Sequence, residues 1–231
     1  VIVAGALNGW PALGWTPESL KRRLGDIEVE YQSRRSANAA LEEAMAAHTT
    51  RCPFSAFIDK VTAPRTGNDV YMTAYNAARN AVALAPLALD VRPLDAFLEP
   101  GGDGLQGMPW IGGAGSFTPL HHDLTNNLIV QVVGRKHIRL APPSETGKLG
   151  AERHVYSDLR DLDDPGLTVA RFPKLAGLRL YDVVLEAGEI QFVPVGWWRQ
   201  IRGLAFSVTL TYTNFPWPNE MAGSYPTDPA R

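Results

Sequence analysis

The sequence predicts a mainly β protein, with short antiparallel strands closed into a sandwich or barrel, a mixed α/β segment in front and flanking helices. Three observations carry this. From Pro109 onward, short apolar runs recur between Gly, Pro and Asn punctuation, at residues 127–133, 136–140, 178–185, 190–193 and 206–213. That spacing belongs to all-β folds rather than to βαβ units. Gly134-Arg135 falls between two of these runs and reads as a tight hairpin turn. The first third, by contrast, carries helix start and stop signals.

Taken in order, Thr16-Pro17-Glu18 offers an N-cap with proline at the first helical position, and Gly25 ends the helix that follows. Residues 27–31 alternate at the period of a strand. Residues 39–47, rich in Ala, Leu, Glu and Met, predict a helix. Residues 53–61 predict another, packed by Phe54 and Phe57. A soft boundary falls near Pro100-Gly101-Gly102-Asp103-Gly104. The expected organisation is one domain over 1–231: N-terminal helices and supporting strands in 1–105, the barrel in 106–215, and a tail in 216–231.

A chain of 231 residues with 45% hydrophobic and 20% charged residues can bury a core without disulfides or a structural metal. Its net charge of −2 leaves no electrostatic footprint for nucleic acid. No apolar run approaches the roughly 20 residues of a membrane span. Residues 1–7 are apolar but short and lack a basic stretch before them, so they are not read as a signal peptide. A chain beginning at Val1 is expected to lack residues that precede it. The single Cys52 forms no internal disulfide and suits a reducing, cytoplasmic setting. Before Pro53 it reads as structural, not nucleophilic.

His121 and Asp123 stand two apart on an extended segment, so their side chains share a face. An imidazole and a carboxylate converging from one strand are two-thirds of the triad that holds non-haem Fe(II). The tripeptide alone also occurs by chance. Lys136, fifteen residues further on, matches Ile138 and Leu140 in parity and so points into the barrel. A buried lysine is costly unless paired, and an anionic small molecule would supply the partner. The bland reading is a lysine at the turn, snorkelling to water.

Thr118-Pro119-Leu120-His121-His122-Asp123, followed by Asn126-Asn127, Gln131 and Gly134-Arg135-Lys136, resembles the JmjC family, in particular its small hydroxylase branch. Residues 188–194 are similar to that family's PGE-x-x-x-IP strand. Gly196-Trp197-Trp198 stands where the family has an aromatic pair, and Phe206-Ser207-Val208 with Asn214 resembles its last core strand. Tyr71-Met72-Thr73-Ala74 resembles the strand that brings a tyrosine to the co-substrate pocket. The resemblance runs from Trp10-Pro11-Ala12 to Asn214. It implies a double-stranded β-helix (the jelly-roll or cupin barrel) and an Fe(II)- and 2-oxoglutarate-dependent oxygenase hydroxylating a peptide or protein side chain. It implies His121 and Asp123 as iron ligands, and Lys136, Thr118 and Tyr71 on the distal carboxylate of 2-oxoglutarate. Asn127 and Asn214 would line the co-substrate pocket. A homodimer through the tail is implied in the same way.

The pattern breaks at the third ligand. The family has a histidine directly after the aromatic pair, and this chain has Arg199. A guanidinium has no lone pair to donate. Three readings stay open: a weakened metal on His121, Asp123 and the oxo acid; an inward Arg199 paired with Asp123 in a non-catalytic binding module; or a replacement ligand from His122 or His154. Parity turns His122 away. A metal-dependent cupin with isomerase or hydrolase chemistry explains Lys136, Thr118 and Asn214 less well. His137, Arg135 and Arg202 read as surface residues, His48 as a helix-end cation, and Trp110, Trp197 and Trp198 as core.

Overall fold

In the computed structural model, which describes residues 1–38, 41–65, 67–101, 105–150, 155–221 and 223, two antiparallel sheets face one another. The larger runs β1 (Ile2–Ala4), β10 (Glu189–Val193), β7 (Asn127–Val133), β12 (Ser207–Tyr212), β5 (Met108–Gly112), β4 (Tyr71–Met72), β2 (Glu28–Gln32) and β3 (Thr49–Pro53). The smaller runs β6 (Phe117–His121), β11 (Trp198–Gly203), β8 (Lys136–Ala141) and β9 (Tyr181–Leu185). This is the expected mainly β jelly roll, with helices packed outside the larger sheet.

Local chemistry sets the first helix. Thr16 caps α1 (Pro17–Leu24): its hydroxyl accepts from the Ser19 amide at 3.1 Å and the Ser19 hydroxyl accepts from the Thr16 amide at 2.8 Å. Lys21, Arg22 and Arg23 occupy the last turn, where cations suit the dipole, and Gly25 ends it at φ 47°. α1 buries Leu20 and Leu24 against Phe54, Phe57 and Ile58 of α2 (Phe54–Thr62), and Phe57 meets Tyr31 of β2 at 5.1 Å between ring centroids. α3 (Ala77–Leu84) braces the same strand, its Asn80 amide group bonding both backbone groups of Glu30.

Two expectations are corrected. Gly134-Arg135 is not a hairpin: β7 lies between β10 and β12, and β8 between β11 and β9, so the turn carries the chain from one sheet to the other. Only glycine fits there, with φ 70° and the Phe206 carbonyl 2.0 Å from where a Cβ would stand. The predicted helix over 39–47 is instead two 3₁₀ turns, Leu41–Glu43 and Met45–His48, with residues 39 and 40 outside the described residues. A stretch that short is marginal as a helix on propensity alone. Tertiary bonds decide its shape: Arg160 holds Glu42 at 2.6 Å, and His48 Nδ1 lies 3.1 Å from the Ser33 carbonyl. Of the expected boundary, Gly102, Asp103 and Gly104 also lie outside the described residues, as does the tail at 222 and 224–231.

Between the sheets, Ile129, Ile138, Leu140, Leu185 and Val193 form an apolar plug. The remaining interior is a cavity that shares Ile129 with the plug.

Candidate anion and metal site in the barrel

The cavity encloses about 490 Å³. Strand register explains which side chains reach it. On β11, Arg199 stands opposite His121 of β6 on one side and Leu140 of β8 on the other, while Gly203 stands opposite Lys136. Period-two alternation therefore turns Arg199, Ile201, Lys136 and Ile138 to one interior face.

His121 ends β6 and is buried. Its Nδ1 lies 2.7 Å from the Pro119 carbonyl, which assigns the proton to Nδ1 and leaves the Nε2 lone pair for the site. Burial, then the positive charge of Arg199, pulls its pKa down to about 3, so the ring is neutral at pH 7. Asp123 lies just past the strand, two residues on, and accepts from Asn127 Nδ2 at 2.9 Å. Asn127 is in turn braced by the Thr125 carbonyl at 3.1 Å.

Arg199 points inward and pairs with Asp123, the arrangement of the second open reading. It is 4% exposed and its Nη2 donates to Asp123 Oδ2 in an ion pair. Its Nη1 is buried and, among the described residues, has no hydrogen-bond partner. Burial lowers its pKa to about 10, which still leaves it charged at neutral pH. The guanidinium thus stands beside His121 with the one carboxylate of the pair engaged. His122 faces away from the cavity, as parity predicts, buried with its ring edge-on to Trp198 at 4.7 Å, and His154 lies outside the described residues. Among the described residues no group of three or more His, Cys, Asp or Glu could hold a metal ion. The described donors, His121 and an Asp123 already engaged by Arg199, do not by themselves complete an Fe(II) site.

The other end of the cavity is cationic. Lys136 is 3% exposed, so it does not snorkel; its Nζ donates to the Tyr71 hydroxyl at 3.1 Å and lies 5.6 Å from that ring's centroid. Thr118 lines the same cavity from β6. Gln32 and Arg35 join them from the N-terminal segment. Arg35 is buried, donates to Gln32 Oε1, and donates to the Phe117 carbonyl at 2.9 Å. Burial lowers its pKa, partly offset by Tyr71 and Glu42. Among the described residues neither Lys136 nor Arg35 forms an ion pair.

Asn214 is a correction. It does not line the cavity: its Nδ2 donates to the Glu99 carbonyl at 2.8 Å on the far side of β12. Parity gives the reason, since Thr209, Thr211 and Thr213 face the cavity and the even positions face away. That alternation of apolar and threonine residues over 208–213 was readable in the sequence. Gln32 and Arg35 carried no such signal, because only the fold brings β2 beside β4. His137 pairs with Asp182 and Arg202 with Asp161 at the surface; His48 ends a 3₁₀ turn and is buried, and Trp198 is core.

A family model described as "Cupin-like domain" matches residues 1–218. The chain is similar to "Lysine-specific demethylase JMJ30" of Arabidopsis thaliana, 39% identical over 132 residues, 54% of this chain and 29% of that protein. It is similar to "Lysine-specific demethylase 8" of Xenopus tropicalis, 26% identical over 218 residues, 92% of this chain and 47% of that protein. A third relative is "HSPB1-associated protein 1 homolog" of Danio rerio, 29% identical over 216 residues, 84% and 47% of the two chains. The chain spans about half of these relatives' length or less.

Proposed function

Because this chain belongs to the cupin-like JmjC domain family, we propose that it is a metal-independent anion-binding module on the oxygenase barrel. Its anion is a 2-oxo acid such as 2-oxoglutarate, or a close relative. The observation that carries this is the ion pair of the buried Arg199, at the position of the family's third ligand, with the partly exposed Asp123. A divalent ion about 4 Å from that guanidinium would meet a repulsion of about 8 kcal/mol at an effective dielectric near 20. Asp123, the anionic donor that could offset it, is already engaged by Arg199. What the cavity does hold is positive charge on neutral hydrogen-bond partners, Lys136 on Tyr71 and Arg35 on Gln32, and a carboxylate beside Lys136 and Tyr71 would satisfy those two. The turns at Leu41–Glu43 and Met45–His48 border the cavity, where a peptide or protein side chain would approach it.

A second reading, an oxygenase with a weakened iron, is favoured by one detail. The His121 tautomer held by Pro119 is the one a metal ligand needs. Turnover separates the two. Purified chain with Fe(II), ascorbate and 2-oxoglutarate is expected to form no succinate, while calorimetry in EDTA still detects 2-oxoglutarate binding. Succinate formation by the native chain would overturn the binding-module reading. Arg199→His is expected to restore EDTA-reversible Mn(II) binding.

A further inference from the structure

We propose that the cavity is a two-ended site for a short dicarboxylate in which Arg199 takes the carboxylate that a metal would otherwise chelate, so the 2-oxo group goes unread. This rests on the metal-independent reading above and specifies its ligand.

At one end, the Arg199 fork is half used. Nη2 is committed to Asp123, and Nη1 is a buried donor with no acceptor among the described residues. A buried unpaired guanidinium N–H is costly, and a carboxylate oxygen is its natural acceptor. At the other end the groups are again donors. Lys136 donates to Tyr71, whose own hydroxyl proton then needs an acceptor. Gln32 adds a third donor. Its orientation is fixed because its Oε1 accepts from Arg35, which leaves Nε2 buried at the cavity wall without a partner among the described residues. Among the described residues each end carries a buried donor without a partner, at the Arg199 end beside the open His121 Nε2 acceptor, which describes a molecule with two anionic ends.

The spacing agrees. Lys136 faces Gly203 and Arg199 faces Leu140, so the two cations sit on adjacent strands four residues apart. That places their backbones about 14 Å from each other. Both side chains line one cavity, and a four- or five-carbon diacid is the length assigned to the span between them. In a metal site the 2-oxo oxygen is a metal donor, and discrimination for oxo acids comes from that bond. A guanidinium reads only the carboxylate, in its plane, and leaves the neighbouring carbon unread.

The test is calorimetric titration of the EDTA-treated full chain with 2-oxoglutarate, glutarate and pentanoate. Glutarate is expected to bind within fivefold of 2-oxoglutarate and pentanoate at least tenfold more weakly. Arg199→Gln is expected to weaken both diacids at least tenfold. Should that variant fail to fold, Arg199→Lys keeps the charge, loses the fork and is expected to weaken them in the same sense. A preference for 2-oxoglutarate above fivefold without metal overturns the dicarboxylate inference and leaves metal-independent binding standing. Pentanoate binding as tightly as glutarate does the same. If no diacid binds until Mn(II) is added, or none binds at all, both readings fall.

Discussion

Replacing Lys136 with methionine should stabilise the protein while abolishing its ligand binding, and the opposite signs make this a sharp test. The ammonium is 3% exposed, with the Tyr71 hydroxyl as its hydrogen-bond partner and that residue's ring as a weak second contact. Burying an ion carries an effective penalty of several kcal/mol. A charged hydrogen bond returns roughly 1.5–3 kcal/mol and an aromatic contact about 1 kcal/mol. Methionine removes the charge, fills nearly the same volume, and costs Tyr71 one partner. The balance is a gain of about 1–2 kcal/mol for the unliganded chain, or a Tm rise of roughly 2–8 °C for a domain of this size. With ligand the order reverses. At about 100 times Kd, a diacid adds about 2.7 kcal/mol to the native chain and little to the variant. Thermal denaturation with and without glutarate in EDTA reads both effects. A variant that melts lower than the native chain yet keeps its ligand shift would refute the reasoning, because Lys136 would then be satisfied by the fold and uninvolved in the site.

Three further outcomes follow from the fold. Trp198→Ala removes a fully buried indole that also donates to Thr146 at 2.9 Å, and urea denaturation is expected to show a loss of about 3–5 kcal/mol. Thr16→Ala breaks the reciprocal cap of α1 and should cost about 1 kcal/mol in the same assay with ligand affinity unchanged. Glu145 is held below its ordinary 4.5 by Lys148 and then Arg179. Its contribution is therefore fully present above the ordinary carboxylate value and is lost as pH falls below that value and through the lowered folded-state one. Tm measured against pH should show native and Glu145→Gln chains apart near pH 7 and converging below about pH 4.5, and a constant gap would contradict this.

Much of the site was legible because it obeys period two. His121, Lys136 and their facing strands could be oriented by counting, and the structure puts them in one cavity. Strand β11 was harder to see. Arg199, Gln200 and Arg202 make Trp198–Gly203 too polar to read as an apolar run, yet Arg199 and Gln200 are buried. Their burial depends on partners remote in sequence, Asp123 for one and Asp161 and Asp163 for the other. The sheet change at Gly134 was hidden for a similar reason, since a glycine turn between two apolar runs looks alike whether the strands pair or part. Gln32 and Arg35 reach the cavity only through the β2–β4 pairing at Gln32 and Tyr71. No local pattern announces a pairing that far apart in the chain.

Asn214 shows where counting should have overruled resemblance, and it can be tested alone. Thr209, Thr211 and Thr213 line the cavity, so an even-numbered neighbour on the same extended segment must face the other way. There Asn214 makes two bonds to Glu99: its side chain donates to the Glu99 carbonyl at 2.8 Å, and its own carbonyl accepts from the Glu99 amide at 2.8 Å. Only the first is lost in Asn214→Ala, at a net cost of about 0.5–1.5 kcal/mol. The residue fastens the segment around Glu99 to the end of the last strand, so the loss should appear in denaturant midpoint. Diacid affinity should stay within about twofold of the native chain. If affinity instead fell tenfold at unchanged stability, Asn214 would belong to the cavity after all, and the parity of the whole β12 face, with the three threonines on it, would have to be reversed.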